Sequence, residues 1–138
     1  MIEKDKKELI MLYTTHTKTD IEIIKAELET KAKEMGFGLL NTYEFKNILE
    51  EKGFPIEKEI CVFEVCNPAG AQKALSHIPE ISIYLPCRLS VYEENGGTTL
   101  STIGLDEMVS VVEVDEAFKA FMNTLFTELK KVMHSWDD

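Results

Sequence analysis

The 138-residue sequence contains no C-x-x-C pair, no glycine-rich phosphate loop, no Ser-His-Asp arrangement and no paired-carboxylate metal motif. Each absence removes a class, from C-x-x-C dithiol oxidoreductases to loop-bound nucleotides and triad hydrolases. Histidine is sparse: His16, His77 and His134 are scattered and fall at no ligand spacing, so no zinc site is indicated. Long apolar runs are missing as well. Near the amino terminus only residues 9–13 are continuously apolar, too short for a signal-peptide core or a membrane span. A cytoplasmic protein with no membrane partner is therefore expected. Basic residues are in the minority, 15 against 25 acidic, and the formal charge of -10 repels phosphate backbones and anionic lipid. No nucleic-acid partner is expected. Three cysteines, an odd number in a reducing compartment, argue against a disulfide scaffold.

What is present points to one α+β domain over residues 1–138. Apolar residues make up 44%, enough at this length to bury a core without staples. Residues 8–15 are rich in β-favouring side chains and predict a strand. Thr19-Asp20-Ile21-Glu22 fits a capping box, and Ile21, Ile24, Leu28, Ala32 and Met35 follow at helical spacing until Gly36. Glu22, Lys25, Glu29 and Lys33 lie off that stripe and read as a solvated face. The next strand, 37–45, places Phe37, Leu39, Tyr43 and Phe45 on one side of the pleat by simple alternation. A short helical turn at 47–52 ends at Gly53 and Pro55. In the strand 59–66, Cys61, Phe63 and Val65 share one face, and Val62, Glu64 and Cys66 the other.

Asn67-Pro68 then opens a helix, with asparagine as N-cap and proline at the first helical position. Ala71, Ala74, Leu75 and Ile78 form its stripe, and Pro79 breaks it. A strand at 85–94 meets the hairpin signal Asn95-Gly96 and returns through 98–103; the segment 106–112 is ambiguous. From Asp115 the clearest pattern in the chain sets Phe118, Phe121, Met122, Leu125, Leu129, Val132, Met133 and Trp136 at three- and four-residue steps. The expected architecture is a two-layer sandwich, an antiparallel-rich sheet with helices on one face. Alternate strand positions such as Val62, Val91 and Tyr92 leave apolar surface for a second copy, so a homodimer is expected.

The stretches CNPAGAQKAL and LPCRLSVYEENGG, followed by a long closing helix, resemble the domain-of-unknown-function family 302. Cys66, Asn67, Pro68, Ala71, Ala74 and Leu75 fill its first motif; Leu85, Pro86, Cys87, Val91 and Glu93 fill its second. The similarity extends over about residues 8–136, with a departure at Gly104-Leu105-Asp106, where such members often carry a D-P or N-P pair. The resemblance implies a fold like that of the TATA-binding protein, strand, helix, four strands and helix, often dimeric, and no established activity. Fold alone does not assign function.

The chemistry narrows to two thiols. Cys66 ends a strand just before the Asn67 cap, where free amides and the helix dipole favour a thiolate. Cys87 follows Pro86 at the mouth of another strand. If those strands are neighbours, the thiols share one end of the sheet. Cys66, Cys87 and Asn67 are therefore the candidate site, with Cys66 and Cys87 as metal ligands for a soft ion such as copper(I). The expected function is a non-enzymatic homodimeric binding protein for a soft metal, a persulfide or a small ligand. A thiol-disulfide redox protein is the alternative, and a regulatory or scaffold dimer with structural cysteines the third. Glu64 is an acid or base candidate only if it faces a cavity.

Overall fold

The computed structural model describes residues 12–104 and 115–138. Residues 8–11 of the first expected strand, the ambiguous 106–112 segment, and Leu105 and Asp106 of the departing loop lie outside the described residues. The elements run β1 (Leu12–Thr17), α1 (Ile21–Glu34), β2 (Gly38–Glu44), α2 (Phe45–Glu51), β3 (Ile60–Cys66) and α3 (Pro68–His77). A 3₁₀ helix (Pro79–Tyr84), β4 (Cys87–Glu94), β5 (Gly97–Ile103) and α4 (Glu116–Met133) complete the order. The order matches expectation, with the 3₁₀ helix added. The strands form one antiparallel sheet in the order β1-β5-β4-β3-β2. Among the described residues no helix is long and apolar enough to cross a membrane.

One sheet face packs on the helices. Cys61, Phe63 and Val65 of β3, Leu89 and Val91 of β4, and Leu100 of β5 meet Ile24, Leu28 and Ala32 of α1 and Leu129, Val132 and Met133 of α4. Val91 is thus fully buried and removed from the surface proposed for a second copy. The opposite face is rich in hydroxyls and other polar groups: Thr14 is bonded to Ser101 at 3.1 Å, and His16 to Thr99 at 3.0 Å. A second, smaller cluster joins Ala74, Ile78 and Ile81 to Phe118 and Met122. It caps one end of the sheet with α3, the 3₁₀ helix and the first half of α4.

Local signals hold where they are short-range. Asn67 caps α3, its side-chain oxygen accepting from Gly70 N at 2.8 Å, and Pro68 is the first helical residue. Asn95 and Gly96 have φ of 51° and 76°, the paired left-handed residues of a tight hairpin turn. Asp115 caps α4 through Phe118 N at 2.7 Å. In α1 the cap is Asp20, which accepts from Glu22 N at 2.8 Å; Thr19 is not the cap. The carboxylate one residue nearer the helix reaches the free amide first. Strand β4 begins at Cys87, not at Leu85. Leu85 N bonds to Ser82 O at 3.3 Å, which keeps it with the 3₁₀ helix, and Leu85-Pro86 is a cis peptide.

The largest departure is in β2. Leu39 pairs with Val65, but Asn41 pairs with Glu64, so Leu40 is an extra residue bulging from the strand. A one-residue slip exchanges faces. Leu39 stays on the core side, and Tyr43 turns to the opposite face, away from the side predicted by alternation.

Gly97 shows a close approach of a different kind. A Cβ there would stand 2.1 Å from the Thr17 carbonyl oxygen, a backbone atom at the end of β1. Gly97→Ala should therefore cost about 2 kcal/mol, in the range of overpacked sites. Urea unfolding midpoints check this, and an unchanged midpoint would show that the β1 end yields freely.

Candidate functional site

Strand β4 pairs with β3 as far as Cys87, opposite Val65, but its ladder with β5 runs only from Ser90–Ser101 to the hairpin. Beyond that point β4 and β5 diverge, and the Thr102 hydroxyl donates to the Arg88 carbonyl at 2.7 Å. At the same end, α3 leaves β3 through the Asn67 cap. Its Gly70 lets the helix approach α4 so closely that a Cβ would meet Leu125 Cδ1 at 2.6 Å. Between the two core clusters this geometry leaves a cavity of about 480 Å³.

Phe37, Val65, Leu85, Met122, Leu125 and Leu129 make much of its wall. The polar lining is small: Cys66, Cys87, Asn67, Glu64, Arg88 and Thr102 among others. An apolar pocket with a few placed polar groups is the usual form of a small-molecule site. All three residues singled out from the sequence line it. Cys66 ends β3 and Cys87 opens the neighbouring strand, one residue out of register across the ladder. Both are free thiols, half-buried, while Cys61 is free and fully buried in the core. Asn67 spends its side-chain oxygen on the cap.

The environment of Cys87 opposes a thiolate. Burial, reinforced by the neighbouring Cys66, pushes its pKa up to about 11. Burial does the same to Cys61, which reaches about 11 despite the opposing pull of Lys25. A thiol held neutral is a weakly polar wall and a poor nucleophile.

Glu64 also borders the cavity, but its carboxylate is anchored on the other face of the sheet, beside Tyr43. Arg88 Nε donates to Oε2 at 3.0 Å; the Tyr43 hydroxyl and Asn41 Nδ2 donate to Oε1 at 2.9 and 3.2 Å. The Arg88 guanidinium, then the Tyr43 hydroxyl, hold its pKa below the usual carboxylate value. A carboxylate kept ionised by three donors is unsuited to acid catalysis. Sequence reading missed Asn41, Tyr43 and Arg88. The bulge at Leu40 delivers the first two. The one available signal for Arg88 was that it is the chain's single arginine.

Glu44, Glu59 and Cys61 bring three donor atoms within 4.8 Å of one another, a possible cation seat. The protein supplies its own cation there. The Lys25 ammonium touches Glu44 and lies 3.1 Å from Glu59 and 3.5 Å from Glu22. Burial alone would lower its pKa, but hydrogen bonds to Glu44 and Glu59 prevail and raise it. Lys25 is only 17% exposed, so this part of α1 is not the solvated face expected from periodicity. The histidines serve elsewhere: His16 bonds Thr99, His77 stacks on Phe118 at 4.6 Å, and His134 bridges Tyr13 and Asp137.

No curated protein matches the chain. The crystal structure of an uncharacterized conserved DUF302 protein from Bacillus stearothermophilus is similar to it, with a TM-score of 0.82 and 29% identity. That alignment covers 91% of this chain and 97% of the other. The family model described as "Domain of unknown function DUF302" matches residues 13–136, the span in which the C-N-P and L-P-C stretches lie, and the chain belongs to that family.

Proposed function

We propose that this chain is a non-enzymatic binding protein whose cavity takes a small, largely apolar molecule against Cys66 and Cys87. The observation that carries the reading is the cavity itself: about 480 Å³ between two core clusters, apolar over much of its wall and lined by two free thiols. Burial of a hydrocarbon body supplies the affinity, and the few polar groups fix orientation. The raised pKa of Cys87 favours an uncharged organic surface over a thiolate as the partner at that point.

The test uses the uncharged fluorophore N-phenyl-1-naphthylamine. Saturable binding at one site per chain is expected, displaced by 1-decanol. Ala71→Phe, at a half-buried position in the cavity wall, should weaken it at least about tenfold by filling the space. Absence of saturable binding, or binding untouched by Ala71→Phe, would sink the proposal.

A soft metal held by both thiolates is the second reading, favoured by the two thiols sharing one cavity. It requires Cys87 to release a proton that burial retains. Copper in stoichiometric amount after purification without chelator supports it, and its absence after copper(I) loading removes it. The redox alternative requires a Cys66-Cys87 disulfide, read as a loss of two hydrogens on mild oxidation. A homodimer in a cytoplasmic setting belongs to the same proposal, and sedimentation equilibrium tests the dimer directly.

A further inference from the structure

Leu89 and Val91 of β4 and Leu100 of β5 point into the core, so alternation turns Arg88, Ser90, Tyr92 and Glu94, with Thr99 and Ser101 beside them, to the opposite sheet face. Thr14 and His16 of β1 join them through the bonds to Ser101 and Thr99. Thr14, His16 and Arg88 are exposed, and Ser90, Tyr92 and Glu94 are half-buried. Strand β4 is the middle strand of the five and carries opposite charges at its two ends on this face. Arg88 is oriented by Glu64 at 3.0 Å, and its two terminal nitrogens have no hydrogen-bond partner among the described residues. Glu94, about 20 Å along the strand, accepts from the Thr99 hydroxyl through Oε1 at 2.8 Å, and among the described residues Oε2 has no partner. Between the two charges a small side chain, Ser90, stands next to a large one, Tyr92. The ionised side chains that β3 and β4 present here are Arg88, Glu64 and Glu94, with the Lys58 ammonium 5.6 Å from the Tyr92 ring centre. This face is close to neutral on a chain of -10.

We propose that this face joins two copies of the chain about a two-fold axis crossing β4 at Val91, with Arg88 against Glu94 of the partner subunit and Ser90 beneath the partner's Tyr92. The inference rests on the homodimer proposed above and assigns its surface. A two-fold interface must be complementary to itself, residue i meeting j and j meeting i. Reversing β4 about Val91 exchanges positions 88 and 94, and 90 and 92, so charge meets opposite charge and large meets small. Carried along the strand register, the same operation sets Thr99 against the partner's Ser101 and His16 against the partner's Thr14, polar groups able to bond across the contact. An axis along β4 would instead stack Arg88 on the partner's Arg88 and Glu94 on the partner's Glu94. Sheets packed face to face cross at about 30°, which offsets the ends of β4 by about 5 Å, a gap that the long Arg88 side chain spans. Five strands of six to eight residues cover roughly 24 by 24 Å. The pair then buries on the order of 1,100 Å², at the lower end of specific interfaces, so the loss of one matched pair should be felt.

Sedimentation equilibrium of the full chain in about 0.15 M salt reads the dimer dissociation constant. Glu94→Lys should raise it at least about tenfold by setting two cations face to face. Glu29→Lys makes the same change of charge on the exposed side of α1 and should leave it within about twofold. Ser90→Tyr should also raise it about tenfold, because two tyrosines then contend for one space, and adding Tyr92→Ser should restore it by exchanging large and small. Glu94→Lys and Ser90→Tyr act on different pairs, so either serves if the other does not fold. A dimer that tolerates both overturns the assigned surface and leaves the homodimer standing. Weakening of the same size in Glu29→Lys overturns it too, because net charge and not this face then governs association. A wild-type chain that is monomeric at about 0.1 mM removes the homodimer and this inference with it, and leaves the cavity reading untouched.

Discussion

Iodoacetamide should leave Cys87 and Cys61 nearly unlabelled at pH 7.5 in the native protein. Both thiols are held protonated by burial, with pKa values of about 11 against an ordinary 9.0. The thiolate is the reacting species, so its fraction, and with it the rate, should be about a hundredfold below that of an ordinary thiol. Each further unit of pH should speed labelling about tenfold until roughly pH 11, whereas a reference thiol levels off near its own pKa. Peptide mapping of the labelled protein separates the sites. The outcome bears on function: a Cys87 that labels at the reference rate at pH 7.5 would restore the thiolate readings, soft metal and disulfide alike. A silent Cys87 leaves the two sulfurs as walls of a binding cavity, with Cys66 the one to examine for chemistry.

How much of this was legible in the sequence follows from the range of the forces involved. Asn67-Pro68, Asn95-Gly96 and Asp115 act through their own neighbours' amides, and the structure places each where the sequence does. The placement of Cys66 and Cys87 at one end of the sheet followed once β3 and β4 were taken as neighbours, which the register confirms. The cavity had no local signal. It arises because β5 parts from β4 beyond Ser90 and because two helices meet over Gly70, both relations between distant segments. The Glu64 anchor was hidden for a sharper reason. Alternation put Tyr43 on the core face, and a single bulged residue, Leu40, reversed it. Nothing in a period-two pattern announces such an insertion, though the half-exposed Leu40 is its mark in the folded chain. Lys25 was misplaced by the opposite error. Helical periodicity shows which residues leave the apolar stripe, but not that β2 and β3 bring Glu44 and Glu59 to meet one of them.

Replacing Lys25 with methionine should therefore cost about 1–2 kcal/mol, because the lysine itself is largely enclosed while the carboxylates it leaves behind keep access to water. The ammonium contacts Glu44, Glu59 and Glu22 and sits beside the buried Cys61, so its loss leaves carboxylates facing one another over a core thiol. The pH dependence has a defined sign. In the folded wild type the Lys25 pKa is raised above 10.5. Its stabilisation is fully present below that pH and is lost as pH rises through the folded value. Cys61 and Cys87, raised from 9.0 to about 11, act in the same direction from pH 9 upward, so alkaline unfolding should set in early. In Lys25→Met the facing carboxylates are stabilised by protonation, and stability should rise between pH 7 and pH 5 relative to wild type. Below about pH 4.5 both proteins should weaken, because there the unfolded chain's Glu64 takes up a proton while the folded one is still held ionised by Arg88, and the pairing is lost as pH falls through the lowered folded pKa. Two restorations check the cause. Adding Glu44→Gln and Glu59→Gln to Lys25→Met should recover most of the loss. Zinc should also raise the melting temperature of Lys25→Met and leave the wild type unchanged, since three donors within 4.8 Å then lack their ammonium. If neither change restores the variant, the lysine stabilises α1 through its aliphatic stem and not as the internal cation.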